Sequence, residues 1–143
     1  MADWVILGCG YVGTRLAHAL LDAGERVRLC ARNAGRLQPL ADRGAHVHPM
    51  DAAKLRAFGP ALYGSASPYV IYSVPPLPNQ PSGEAIRRAA EACTGVGAQR
   101  FVYLSSTAVY GETPDGDVVD EQPAFVLGLG HGCAFPGLHR HPH

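Results

Sequence analysis

Short apolar runs alternate with amphipathic stretches along this chain, and that alternation sets out its elements. Residues Asp3 to Leu7 form a mostly apolar run that stops at a glycine. Val12, Leu16, Ala17, Leu20 and Leu21 then recur at helical spacing until Ala23-Gly24 closes the helix. Val27, Leu29 and Ala31 alternate with Arg26, Arg28 and Cys30, the period of a strand. A second helix is expected over about residues 34–43, interrupted by Pro39. His46-Val47-His48 reads as a short third strand ending near Asp51, with a helical piece over about 52–58 after it. Tyr69-Val70-Ile71-Tyr72 is continuous and β-rich, as for a strand buried on both faces. Residues 74–81, with four prolines, make a stiff loop. Ser82 offers an N-cap for a fourth helix over 84–93, and residues 100–104 are the fifth strand.

Strands and helices alternating at these lengths predict an α/β fold. The expected form is a parallel, doubly wound sheet with right-handed crossovers and five strands in the order 3-2-1-4-5. No internal repeat is visible. The character of the chain changes after residue 121. Residues 122–143 hold no acidic residue, no lysine and four of the seven histidines, and neither helical nor strand periodicity persists there. The expected division is one α/β domain over 1–122 and an irregular tail over 123–143.

Composition narrows the function classes. A chain of 143 residues suits one domain with a genuine core. Its 12 basic and 12 acidic residues balance, so nothing in the charge points to nucleic acid. Eleven of the 12 basic residues are arginine, which leaves Lys54 as the sole lysine. The four cysteines show no C-x-x-C spacing, and Cys9, Cys30 and Cys93 fall within apparent elements or turns, so reduced thiols in a cytoplasmic protein are expected. No leader pattern or long apolar run predicts export or a membrane span.

The chemistry begins where the first strand ends, at Gly8-Cys9-Gly10-Tyr11-Val12-Gly13. A strand breaking into G-x-G-x-x-G and opening a helix is the dinucleotide-binding fingerprint. The first glycine turns the chain, the second lets backbone approach a pyrophosphate, and the third lets helix lie against strand. The helix N-terminus supplies free N–H groups and a favourable dipole for the phosphates. Binding of NAD usually recruits a carboxylate near the end of the second strand, to hold the ribose hydroxyls. Leu29-Cys30-Ala31-Arg32-Asn33 has none there. Arg32 instead offers a guanidinium fork suited to a 2′-phosphate, with Arg36 one helical turn later, so NADP is expected ahead of NAD. Ser73-Val74-Pro75, ending the fourth strand beside the switch point of the sheet, is where the nicotinamide ribose would pass.

Tyr103-Leu104-Ser105-Ser106-Thr107-Ala108-Val109-Tyr110-Gly111, together with the glycine turn, resembles the extended and atypical short-chain dehydrogenase/reductases, the NAD-dependent epimerase/dehydratases. Gly10-Tyr11-Val12-Gly13 is also similar to the start of UDP-sugar 6-dehydrogenases, which would not be expected to carry the 105–111 string. The resemblance spans roughly residues 1–122 and implies a Rossmann fold, a nicotinamide cofactor, and oxidoreduction or epimerisation of a small carbonyl or sugar-nucleotide substrate. Residues 1–122 are then expected to be an NAD(P)-binding domain, and 123–143 the non-homologous or frameshifted end of a truncated chain. Two departures mark an atypical member. The usual G-x-x-G-x-x-G would need glycine at Leu7, and no Tyr-x-x-x-Lys pair follows residue 110.

Relatives place an aspartate against the adenine amino group, which corresponds to Asp51 with Ala52 beside it. Asp51 could equally cap the next helical piece. Ser106, with Thr107 beside it, would polarise a substrate carbonyl, and Ser105 would adjoin the cofactor. Without the Tyr–Lys pair no side chain is assigned to donate the proton, so cofactor binding is expected and negligible turnover with it. The alternative is a non-enzymatic dinucleotide-binding remnant or redox-sensing module. His131, Cys133, His139, His141 and His143 match no closed zinc motif, and no metal is expected. A small-molecule substrate of unreadable identity, no nucleic acid and no membrane complete the expectations. The sequence does not give an oligomeric state.

Overall fold

The computed structural model describes residues 1–81, 83–104 and, as backbone, 126–127. Six strands form one sheet in the order β3-β2-β1-β4-β5-β6. They are β1 (Asp3–Leu7), β2 (Arg26–Ala31), β3 (His46–Pro49), β4 (Tyr69–Tyr72), β5 (Arg100–Tyr103) and β6 (Val126–Leu127). The first five are parallel and stand in the order the sequence predicts. β6 adds an antiparallel rung to the outer edge of β5, opposing Val126 to Val102 and Leu127 to Phe101. It lies in the stretch expected to be irregular, and two residues are too few to show a period.

β1 is central, and both its faces are covered. Val5, Ile6 and Leu7 are at most 1% exposed, which explains a continuous apolar run in place of alternation. Ile6 sits between Leu29 and Ile71 on the neighbouring strands. It faces α1 (Tyr11–Asp22), where Ala17 is buried, and the segment carrying Leu37 and Leu40. Val5 and Leu7 face the opposite layer. There Tyr72 and Phe101 meet Phe58, Ala61 and Leu62 of α3 (Phe58–Leu62), and Ala85, Ala89 and Cys93 of α4 (Glu84–Gly95). The chain thus leaves β1 towards one face and β4 towards the other. A crevice opens between their carboxyl ends, the switch point of a doubly wound sheet.

Three local expectations need correction. The helix expected across 34–43 is a 3-10 turn over Ala34–Leu37 followed by α2 (Gln38–Asp42). Pro39 lies in the first turn of α2, where its missing N–H costs nothing. The helical piece expected over 52–58 is a run of turns, and the helix after β3 is α3, beginning only at Phe58. Asp51 diverts the chain: its Oδ1 accepts the Ala53 N–H at 3.0 Å and its carbonyl accepts the Lys54 N–H at 3.1 Å, which closes a side-chain-supported turn. Gly83, at φ 83°, is the N-cap residue of α4, and Ser82 lies outside the described residues.

Candidate functional site

The three glycines of the first turn meet three different surroundings. Gly8 has φ 87°, and a Cβ there would stand 2.8 Å from the Val74 nitrogen and 2.9 Å from the Ser73 carbonyl. The turn is therefore pressed against the end of β4. The Cys30 carbonyl fastens it from the other side, accepting the Gly8 and Cys9 N–H groups at 2.9 and 3.2 Å. A Cβ on Gly13 would meet the Gly8 oxygen and Ile6 Cγ2, both at 3.1 Å, so the third glycine sets how closely α1 lies on β1.

Gly10 differs from both. A Cβ there would meet nothing within 4 Å, so protein packing gives no reason for glycine. Gly10 is the N-cap of α1 and supplies no side-chain hydrogen bond. The first intrahelical bond runs from the Thr14 N–H to the Gly10 carbonyl at 2.9 Å. The N–H groups of Tyr11, Val12 and Gly13 accordingly have no partner within the helix. Open space beside unpartnered N–H groups at the positive end of a helix fits a pyrophosphate.

A cleft of about 230 Å³ runs from this turn across the carboxyl edge of the sheet. Gly8, Cys9 and Gly10 form one wall, and Arg32, Asn33, Arg36 and Leu37 line it beyond β2. Met50, Asp51 and Ala52 contribute from the end of β3, and Ser73, Val74, Pro75 and Leu77 from the end of β4. Ten of the residues singled out from sequence thus border one space: Gly8, Gly10, Arg32, Asn33, Arg36, Asp51, Ala52, Ser73, Val74 and Pro75. Tyr11 and Val12 are exposed at 77% and 51% and do not line it. The Tyr11 hydroxyl instead accepts a hydrogen bond from Arg15 at 3.1 Å. Gly13 is buried beneath the turn. Ser105, Ser106 and Thr107 lie outside the described residues.

A second cleft, of about 180 Å³, lies between the proline-rich loop and the start of α4, with Tyr72 and Tyr103 on its wall. Burial pushes the Tyr72 hydroxyl up to about 12, Tyr103 adds to the rise, and Arg88 opposes it. A phenol held that high is a poor proton donor near neutrality. The described thiols are no readier to ionise. Burial raises Cys9, and it lifts Cys30 and Cys93 to about 12. Among the described residues no group of three metal-binding side chains assembles, and no helix is long and apolar enough to cross a membrane.

Sequence reasoning missed Arg88, which is only 9% exposed. Its guanidinium donates to the Lys54 carbonyl at 2.7 Å, the Ala52 carbonyl at 3.2 Å and Gln80 Oε1 at 3.3 Å, and it stands 5.8 Å from the Phe58 ring centroid. It therefore joins α4 to the β3–α3 turns and to the proline-rich loop, two margins of the main cleft. The signal was available: position 88 falls on the same helical face as Ala85, Ala89 and Cys93, where a charge is out of place unless it is bonded.

A family model described as NAD(P)H-binding matches residues 8–127. Among solved structures, the anaerobillin reductase ChuY from Escherichia coli O157:H7 superposes with a TM-score of 0.64 at 21% identity, over 75% of this chain and 52% of that one. PA4631, a nucleoside-diphosphate-sugar epimerase from Pseudomonas aeruginosa, gives 0.63 at 21% identity, over 87% and 40%. A short-chain dehydrogenase/reductase superfamily protein from Agrobacterium tumefaciens with bound NAD gives 0.62 at 24%, over 86% and 39%. The chain spans about half the length of the first and about two fifths of the other two. At these identities the likeness establishes a common fold, the one implied by the resemblance to extended short-chain dehydrogenases. A search of curated proteins returns no match.

Proposed function

This chain belongs to the NAD(P)H-binding family, and on that premise we propose that it holds NADP(H) in the cleft at the carboxyl edge of its sheet. The observation that carries the reading is the empty space at Gly10. Glycine there is unexplained by protein packing and is explained by a pyrophosphate reaching the start of α1. The N–H groups of Tyr11, Val12 and Gly13 would bond the phosphate oxygens. Asp51 and Ala52 would border the adenine, and Ser73, Val74 and Pro75 the nicotinamide ribose. Arg32 and Arg36 are exposed at the far end of the cleft, and no carboxylate follows β2 to hold a free 2′-hydroxyl. Two cations at that end favour a phosphorylated ribose.

The bound nicotinamide would supply hydride exchange with a carbonyl or sugar carbon of a small substrate, and Ser106 and Thr107 would orient that oxygen. Residues 1–143 contain no Tyr-x-x-x-Lys pair after Tyr110, so these residues bind cofactor with negligible turnover of their own. Calorimetric titration of NADPH and NADH into the wild type and Arg32→Ala tests the cofactor choice. The expected result is tighter binding of NADPH, lost selectively in Arg32→Ala. Equal affinities of the wild type for the two dinucleotides would refute it.

A further inference from the structure

A third recess, of about 430 Å³, adjoins the main cleft and shares Arg32, Met50 and Asp51 with it. Arg32 borders it from the end of β2, and Lys54 and Arg56 face it from the turns between β3 and α3. None of the three has an acidic partner within 4 Å among the described residues, where ion pairs involve Arg26, Arg43, Arg87 and Arg88. Asp51 is the one carboxylate bordering the recess, and its Oδ1 is turned back onto the Ala53 N–H. Three cations against one engaged carboxylate leave the recess positive.

The turns carrying Lys54 and Arg56 are firmly anchored. Arg88 holds the Ala52 and Lys54 carbonyls from beneath, Gln80 donates to the Ala53 carbonyl at 2.9 Å, and the Ala57 N–H reaches the Lys54 carbonyl at 3.2 Å. The backbone is tied down on its inner side while the Lys54 and Arg56 side chains stay exposed. A cation presented on a fixed backbone loses less freedom on meeting an anion than one on a loose loop.

We propose that Lys54 and Arg56 complete, with Arg32, a phosphate-monoester subsite that selects the 2′-phosphorylated ribose of NADP(H), and that Arg88 positions the turn bearing them. The inference rests on the NADP(H) reading above and extends it to a second segment of the chain. Two loops, one after β2 and one after β3, would then close on the phosphate from opposite sides.

The test compares 2′,5′-ADP with 5′-AMP, and NADPH with NADH, by calorimetry on the wild type, Arg32→Ala and the double variant Lys54→Met/Arg56→Met. Both replaced side chains of the double variant are exposed, so its fold should be undisturbed. The double variant is expected to bind 2′,5′-ADP and NADPH about tenfold more weakly, the scale of partly solvated charge-assisted contacts, with 5′-AMP and NADH within twofold. Arg88→Lys, which keeps the charge but not the fork, should weaken 2′,5′-ADP more than 5′-AMP. If Arg32→Ala removes a preference for NADPH that the double variant retains, the subsite falls and the NADP(H) reading stands. Parallel losses of both dinucleotides in the double variant also overturn the subsite. If the wild type shows no preference for NADPH, the reading and the subsite fall together.

Discussion

Adding one methyl group at Gly8 or at Gly10, two positions apart, should have opposite consequences. At Gly8 the backbone has φ 87°, and the new carbon would lie 2.8–2.9 Å from main-chain atoms of Ser73 and Val74. A left-handed backbone costs a residue with a Cβ about 1–2 kcal/mol. The clash with backbone that cannot rotate away adds about 1–3 kcal/mol. Gly8→Ala should therefore lose about 2–5 kcal/mol, a large part of the ~5–15 kcal/mol of a typical domain. For a chain of this length that lowers Tm by roughly 6–20 °C. At Gly10 the φ is −93° and the added carbon touches nothing, so Gly10→Ala should stay within about 1 kcal/mol of the wild type. Its methyl group, however, fills the approach to the N–H groups of Tyr11, Val12 and Gly13. Loss of one charge-assisted bond to phosphate, worth about 1.5–3 kcal/mol, weakens dinucleotide binding by roughly 10–100-fold. Urea unfolding and scanning calorimetry read the first effect, and isothermal titration with NADPH reads the second. A Gly10→Ala protein that binds like the wild type would refute a pyrophosphate at this turn, and a Gly8→Ala protein with unchanged Tm would refute the packing argument.

Two further outcomes follow from buried groups. Replacing Arg88 by Met removes three hydrogen bonds from a charged donor. Because the cation's own burial was costly, the net loss should be about 2–4 kcal/mol. Urea unfolding measures it, and an unchanged midpoint would contradict the role assigned to Arg88. Cys30 and Cys93, with thiols lifted by burial to about 12, should resist iodoacetamide at pH 8 in the folded protein and react on unfolding, as followed by peptide mass spectrometry. Their sign is that of groups neutral when folded. Their effect on stability is nil below the ordinary thiol value and turns unfavourable as pH rises from about 9 towards 12, so rapid native labelling at pH 8 would overturn the burial argument.

The strands were legible because a parallel strand covered on both faces needs a continuous apolar run, and 4–7, 69–72 and 101–104 have one. The helices between them were less so, and the failures are local. Residues 52–58 carry a reasonable helical composition, but Asp51 spends its side chain on the turn, and α3 starts only where Phe58 meets Tyr72 and Arg88. Pro60 belongs to the first turn of that helix, where proline is tolerated. β6 is written in no pattern at all, since two residues against an edge carry no period.

The two ends of the main cleft differ in the same way. The glycine turn works through backbone, so its requirements are glycine at fixed spacing, and spacing is visible in one dimension. The adenosine end would work through side chains on loops, and there sequence distance misleads. Arg32 and Lys54 are 22 residues apart yet border one recess, and the residue that fixes the second of them, Arg88, is 34 further on. Reading that end required knowing that a charge on the buried face of α4 had somewhere to go, and only the fold supplies the Ala52 and Lys54 carbonyls it reaches. That a nicotinamide dinucleotide binds is therefore encoded locally, in residues 8–13. Under the proposed subsite, which dinucleotide is preferred would depend on two loops, after β2 and after β3, that meet only once the sheet has formed.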